Sequence, residues 1–239
     1  MTVAEPVSMS AAPPDAPIVK VTDAWKLHKL GDEIVRAIAN VSLEVRSGDF
    51  VCLMGPSGSG KSTLLNIIGG LDRPTKGTVE IAGRDTARIT ESQFAALRHD
   101  TIGYIFQSYN LIPFLSAVEN VELPLMFEPY DRKALRQRAV DLLSLVGLGH
   151  RLDHQPAKLS GGEQQRTAIA RSLISNPALI LADEPTANLD HRTGEVVVRT
   201  LRDLCSQLDV TVVASTHDPT VAEQASRVVR MLDGQIQED

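Results

Sequence analysis

Apolar residues recur along this chain in two rhythms, one alternating or continuous and one at helical spacing, and their order outlines a fold. Residues 18–21, 41–45 and Phe50–Met54 alternate or run apolar like strands, punctuated by Asn40 and by Ser47-Gly48. Lys61–Ile68 continues as a helix that stops at Gly69-Gly70. A turn over 72–77, a strand over 78–81, a helix over 91–98 and a strand over 102–106 follow. From Ser108 to about Gly149 the rhythm becomes helical: 117–127 is apolar, and 131–146 sets Ala134, Ala139, Leu142, Leu143 and Val146 at helical spacing. Residues 163–175 are amphipathic behind Ser160. The C-terminal part returns to strands at 178–182, 210–215 and 228–232, separated by helices at 192–207 and Pro219–Gln224. No internal repeat is visible. Strands alternating with helices predict an α/β fold with a mostly parallel sheet covered on both faces, and the helical stretch predicts an inserted subdomain at about 108–175.

With 239 residues, the chain has room for one large α/β domain or a core with an insertion, and two independent full domains are not expected. Residues 1–17, MTVAEPVSMSAAPPDAP, read as a disordered Ala/Pro-rich tail with no secretory signal, leaving 18–239 as the folded domain. Nowhere do about 18 apolar residues run together, so no segment is expected to span a membrane. A net charge of −6 without a block of Lys or Arg argues against a nucleic-acid partner. Cys52 lies in an apolar run and Cys205 in a helical pattern, which reads as two buried thiols in a reducing cytosol, not a disulfide.

The chemistry begins with GPSGSGKST at 55–63, between a strand and a helix. Side chains at Gly55, Gly58 or Gly60 would block a turn that aims backbone N–H groups at a polyphosphate, and the helix starting near Lys61 adds its positive N-terminal dipole. Together Gly55, Pro56, Ser57, Gly58, Ser59, Gly60, Lys61, Ser62 and Thr63 form a phosphate cradle, in which Lys61 reaches the β and γ phosphates and Ser62 ligates Mg²⁺. Asp183 ends an apolar strand in LILADEP (179–185). A carboxylate there is usually a turn residue, but opposite a phosphate loop it becomes a metal ligand. Glu184 beside it can polarise an attacking water, which turns nucleotide binding into hydrolysis. A phosphate loop alone leaves kinases, helicases, GTPases and pumps open.

LSGGEQQ at 159–165, lying between the phosphate loop and the Asp-Glu strand, narrows the choice, because that combination resembles ATP-binding cassette (ABC) ATPases. The resemblance covers nearly all of 18–234. It implies a P-loop cassette with a mostly parallel core, an antiparallel β subdomain and the inserted α-helical subdomain, working on ATP with Mg²⁺. It also assigns roles to residues that spacing leaves anonymous. His217 matches the switch histidine that contacts the γ phosphate and aligns the catalytic carboxylate. Gln107 matches the glutamine that senses Mg²⁺ and nucleotide. Ser160, Gly161 and Gly162, otherwise a helix cap, match the signature turn that faces the γ phosphate held by a second ATPase subunit. Asn188, Leu189 and Asp190 match the loop that crosses between the two sites. The relatives carry an adenine-stacking aromatic upstream of Gly31, and KLHKLGDE puts His28 in that place; Trp25 is expected to pack structurally.

PSGSGKSTLLNIIGGLDRPTKGTV, FQSYNLIP, ENVELPL and ADEPTANLD further resemble the branch with macrolide-efflux, lipoprotein-releasing and FtsE-like cell-division ATPases. Lys61, Gln107, Ser160, Asp183, Glu184 and His217 all stand in this one chain, which suits a homodimer with two competent sites and leaves a different partner cassette as the alternative. The resemblance implies peripheral placement on the cytoplasmic face of the cell membrane and an ABC membrane (permease) subunit supplying the transmembrane helices. Phe114, Leu115 and Leu123 are candidate contacts for that subunit as a patch, although each taken singly is more often core. The work implied is export or mechanotransmission, with a regulatory ATPase acting on cell-envelope enzymes as the alternative. Soluble translation- or repair-type cassettes, with two cassettes or a long coiled coil, do not fit in 239 residues.

Overall fold

The computed structural model describes residues 16–31 and 33–237. All but the last two residues of the expected Ala/Pro tail lie outside the described residues.

The strand-like runs of the sequence assemble into two sheets. In the six-stranded sheet the order is β10 (Gln235–Ile236), β9 (Arg227–Leu232), β3 (Phe50–Met54), β8 (Thr211–Thr216), β7 (Leu179–Asp183) and β6 (Ile102–Ile105). Every pairing from β9 to β6 is parallel and only β10 runs antiparallel. Parallel strands need crossovers, and these are the helices α1 (Lys61–Ile68), α6 (His191–Leu208) and α7 (Pro219–Gln224), with the larger insertion between β6 and β7. The near-continuous apolar sequence of β3, β7 and β8 follows from burial on both faces. Phe50, Cys52, Ile180, Ala182, Val212 and Ala214 point into one core with α6 and the helical insertion. Val51, Leu53, Leu179, Leu181 and Val213 point into the other with α1 and the second sheet. Each such buried Leu, Val or Ile contributes roughly 1.5–3 kcal/mol.

The second sheet is antiparallel, in the order β2 (Glu33–Val45), β1 (Val19–Leu30), β4 (Lys76–Ile81) and β5 (Arg84–Asp85). Here the strands are longer than their apolar runs predict. Asn40 does not punctuate β2; the strand passes through it with φ 55°, and the β1 register shifts between Ala24 and Lys26. Asp23, at φ 46°, sits at the complementary shift between Val21 and Ala24. These bulges break the alternation, and the first half of β2 is exposed, so its pattern reads as loop.

The insertion carries α3 (Ala117–Glu122), α4 (Arg132–Leu145) and α5 (Gly161–Ser172). Pro124 explains why the apolar 117–127 stretch is not one helix: α3 ends and a 3-10 turn takes over at Leu123–Leu125. In α4 the buried face is Leu135, Ala139 and Leu143, followed by Val146, whereas Ala134 is exposed and Leu142 only half-buried. The core needed the larger Leu135 one position further on. Among the described residues three helices open with reciprocal capping boxes, Thr90 with Gln93 on α2 (Glu91–Thr101), Ser116 with Glu119 and Ser160 with Glu163.

Candidate active site

The carboxyl ends of β3, β6, β7 and β8 lie along one edge of the parallel sheet, where open α/β sheets bind ligands. The loop after β3 wraps back over the start of α1. Gly60 holds it with φ 97°, and a Cβ there would stand 2.5 Å from the Ala37 carbonyl of β2. At Gly55 a Cβ would meet the Met231 carbonyl of β9 at 2.2 Å. Both positions therefore require glycine for close backbone approach. The loop is a cradle built against both sheets. Lys61 is 5 % exposed, and its Nζ donates to the carbonyls of Gly55, at 2.8 Å, and Pro56, at 3.0 Å. Its charge also lies 3.8 Å from Glu184 Oε1.

Ser62, on the first turn of α1, donates its hydroxyl to Asp183 Oδ1 at 2.8 Å, which joins the cradle to the end of β7. Asp183 stands directly beside Ser215 in the β7–β8 register. Glu184 leaves the strand with φ 46°, a left-handed turn that a β-turn residue tolerates only when anchored. Its N–H donates to the Ser215 carbonyl at 3.0 Å. Its carboxylate then receives His217 Nδ1 at 3.1 Å and the Thr216 hydroxyl at 3.4 Å. Cys52, under the loop on β3, is pushed up to about 12 by burial and by the charges of Glu184 and Asp218, with Lys61 opposing, so its thiol stays neutral.

A cleft of about 450 Å³ opens over these groups, lined by the loop with Lys61, Ser62 and Thr63, by Gln107, Glu184 and His217, and by Val35 to Ala37 of β2. Of the expected residues, Ser57, Gly58, Gly60, Lys61, Ser62, Thr63, Gln107, Glu184 and His217 line the cleft, and Asp183 joins it through Ser62. His28 does not line the cleft; it is exposed on β1 opposite Val35, which does. Trp25 is half-buried, and its carbonyl accepts Thr75 N–H at 2.6 Å. Val35, Arg36 and Ala37 escaped the sequence reading because they carry no motif; their only signal is their place just ahead of the loop's strand.

The signature residues stay outside the cleft. Ser160 caps α5, exchanging bonds with Glu163, whose second oxygen accepts Arg151 Nε at 3.0 Å. The hydrogen bonds from Ser160 hold the Glu163 carboxyl below its ordinary range, with Arg151 helping. A Cβ on Gly162 would strike Thr193 at 2.3 Å, so α5 and α6 meet there. Asn188 Nδ2 donates to the Gln107 carbonyl at 2.8 Å, tying the loop after β7 to the end of β6. Among the described residues no group of three or more His, Cys, Asp or Glu could hold a metal. The Ser62 hydroxyl and the Asp183 carboxylate, bonded at 2.8 Å, are oxygens of the kind that a hard divalent ion takes together with substrate phosphates.

The family described as ABC transporter matches residues 38–187, 150 of the 239. The chain belongs to the ABC transporter ATP-binding family. It is 49 % identical over 220 residues to an uncharacterized ABC transporter ATP-binding protein of Thermotoga maritima, covering 92 % of this chain and 94 % of that one. It is also 49 % identical over 223 residues to the macrolide export ATP-binding/permease protein MacB of Syntrophobacter fumaroxidans, but spans only 31 % of that protein. The fold superposes with a TM-score of 0.85, at 46 % identity and covering 92 % and 97 % of the two chains, on the ATP-binding cassette MJ0796 in a dimeric, post-hydrolysis state with ADP and Pi. MJ0796 comes from Methanocaldococcus jannaschii. The protein is thus an ABC ATPase cassette that binds nucleotide.

Proposed function

We propose that this cassette hydrolyses ATP as one of two identical subunits that close on each other, and that closure drives a membrane subunit in export or mechanotransmission. The observation that carries the reading is the convergence of Lys61, the Ser62–Asp183 bond and the Glu184–His217 bond on one cleft. In it, the backbone N–H groups of 57–63 and the α1 dipole take the phosphates, and Lys61 exchanges its two loop carbonyls for phosphate oxygens. Ser62 and Asp183 would hold Mg²⁺, with Gln107 beside them at the cleft, and the ion would supply charge neutralisation for the bound phosphates. Glu184 accepts the proton of the attacking water, and His217 holds the carboxylate in place. Ser160, Gly161 and Gly162 then serve the nucleotide of the other subunit, which agrees with their position off the cleft.

No described helix is long and apolar enough to cross a membrane. A membrane-spanning partner is therefore part of the proposal, with the cassette peripheral on the cytoplasmic face. Phe114 is 73 % exposed and Phe127 is 89 % exposed on the helical insertion, whereas Leu115 and Leu123 are half-buried. Of the candidate contacts Phe114 is the one left in solvent, and Phe127 is a further exposed ring of the insertion. The test is to trap tagged Glu184→Gln protein with ATP in native membranes and to identify what co-purifies by mass spectrometry. A subunit with few transmembrane helices and a large external domain is expected. A cell-envelope hydrolase in the same complex would favour the regulatory alternative, and ribosomes or DNA without a membrane protein would overturn the reading.

The adenine side gives a separate prediction. An imidazole is a small stacking surface, and His28 lies across from a cleft-lining residue. His28→Tyr is expected to tighten ATP binding about two- to tenfold, the worth of an aromatic contact. A fluorescence titration that finds equal affinities removes His28 from the nucleotide site.

A further inference from the structure

Ser62 is not the only hydroxyl on the Asp183 carboxylate. Ser215, 0 % exposed on β8, donates to the same Oδ1 at 2.5 Å, and its Oγ accepts the Glu184 N–H at 3.2 Å. One side chain therefore grips both members of the Asp-Glu pair. The terminal torsion of an Asp is soft, so a carboxylate at a strand end turns freely unless something fixes it. Two O–H donors arriving at Oδ1 from α1 and from β8 fix it. The two donors differ in what surrounds them. Ser62 is exposed at the cleft, while Ser215 is buried and its hydroxyl serves the Asp-Glu pair alone among the hydrogen bonds described. A purely structural role does not account for it, because the Glu184 N–H is already held by the Ser215 carbonyl at 3.0 Å and needs no side chain.

We propose that Ser215 is a positioning residue for the hydrolytic site, setting the Asp183 carboxylate in the orientation from which it holds the divalent cation. The proposal rests on the reading of Asp183 as that cation's ligand. It locates its effect in cation affinity, with ATP affinity in the absence of metal left alone, since Ser215 reaches no cleft wall.

The experiment titrates Mn²⁺ into the full chain with ATP and reads free Mn²⁺ by electron paramagnetic resonance, alongside binding of a fluorescent ATP analogue in EDTA. Ser215→Ala is expected to weaken Mn²⁺ binding about three- to tenfold, less than the full worth of a hydrogen bond to a charged acceptor because the Ser62 hydroxyl still holds Oδ1. Binding of the analogue in EDTA stays within about twofold of wild type. Ser215→Cys keeps the volume and donates weakly, so it shifts Mn²⁺ binding in the same direction even if the alanine variant folds poorly. Asp183→Asn is the control. If it loses Mn²⁺ while both Ser215 variants bind Mn²⁺ like wild type, the proposal is overturned and the metal reading stands. If Asp183→Asn also binds normally, the metal reading itself falls. An equal loss of analogue binding in EDTA would reduce Ser215 to a structural residue.

Discussion

Glu184→Gln is expected to lower ATP turnover by about 10²–10⁴-fold while leaving ATP bound. The carboxylate sits at the end of β7 on a left-handed turn, with His217 Nδ1 at 3.1 Å, Thr216 Oγ1 at 3.4 Å and Lys61 Nζ at 3.8 Å. Glutamine has the same shape and still accepts a hydrogen bond from Thr216 or His217, so the turn survives. What disappears is the acceptor that takes a proton from water. The substitution also removes the negative charge facing Lys61, and an incoming γ phosphate no longer competes with it. Affinity for ATP is therefore expected to hold or rise, and an ATP-loaded dimer to accumulate. Phosphate release at saturating ATP and size-exclusion chromatography of the nucleotide-loaded protein measure the two halves. Turnover within about threefold of wild type would show that proton transfer does not pass through Glu184.

Much of this site could be read from the chain because its chemistry allows few residue types. Gly55 and Gly60 are glycines because backbone lies 2.2 and 2.5 Å from where a Cβ would go, and such positions announce themselves as a spaced motif. Lys61, Ser62, Asp183 and Glu184 stand at the junctions of apolar runs with polar ones, and β3 and β7 are buried on both faces, so their ends were easy to find. Legibility fails where packing is one-sided or where a residue acts through another. The first half of β2 is exposed, and paired bulges at Asp23 and Asn40 destroy its alternation, so the wall formed by Val35, Arg36 and Ala37 was hidden. In α4 the choice between Ala134 and Leu135 depends on which side meets the core, and period alone does not say. Ser215 stands two residues before His217 with no motif of its own, and its hydroxyl reaches Asp183 only through the pairing of β8 with β7. Phe127 reads as the end of an apolar helix until Pro124 turns the chain and leaves the ring in solvent.

Lys61→Ala is expected to cost nucleotide affinity directly, and more than any other single change in the cradle. The ammonium is 5 % exposed and is held by two loop carbonyls, an arrangement that keeps it desolvated, extended and aimed across the loop before any phosphate arrives. Charge-assisted hydrogen bonds of this kind are worth about 1.5–3 kcal/mol each, so losing one of them weakens ATP binding about tenfold to a hundredfold, and losing two weakens it further. The loss reaches further than binding. Without Lys61 the Glu184 carboxylate, already turned toward the cleft by His217, faces the incoming γ phosphate with no cation between them. Repulsion then adds to the missing attraction. Coupling between the two residues is measurable: in the Lys61→Ala, Glu184→Gln double variant part of the affinity should return, because the uncompensated charge is gone. Isothermal titration with ATP on the four proteins tests this. Strictly additive effects would place the two side chains in separate roles, whereas a gain from Glu184→Gln that is larger in the Lys61→Ala background than in wild type ties the phosphate cradle and the hydrolytic carboxylate into one electrostatic unit.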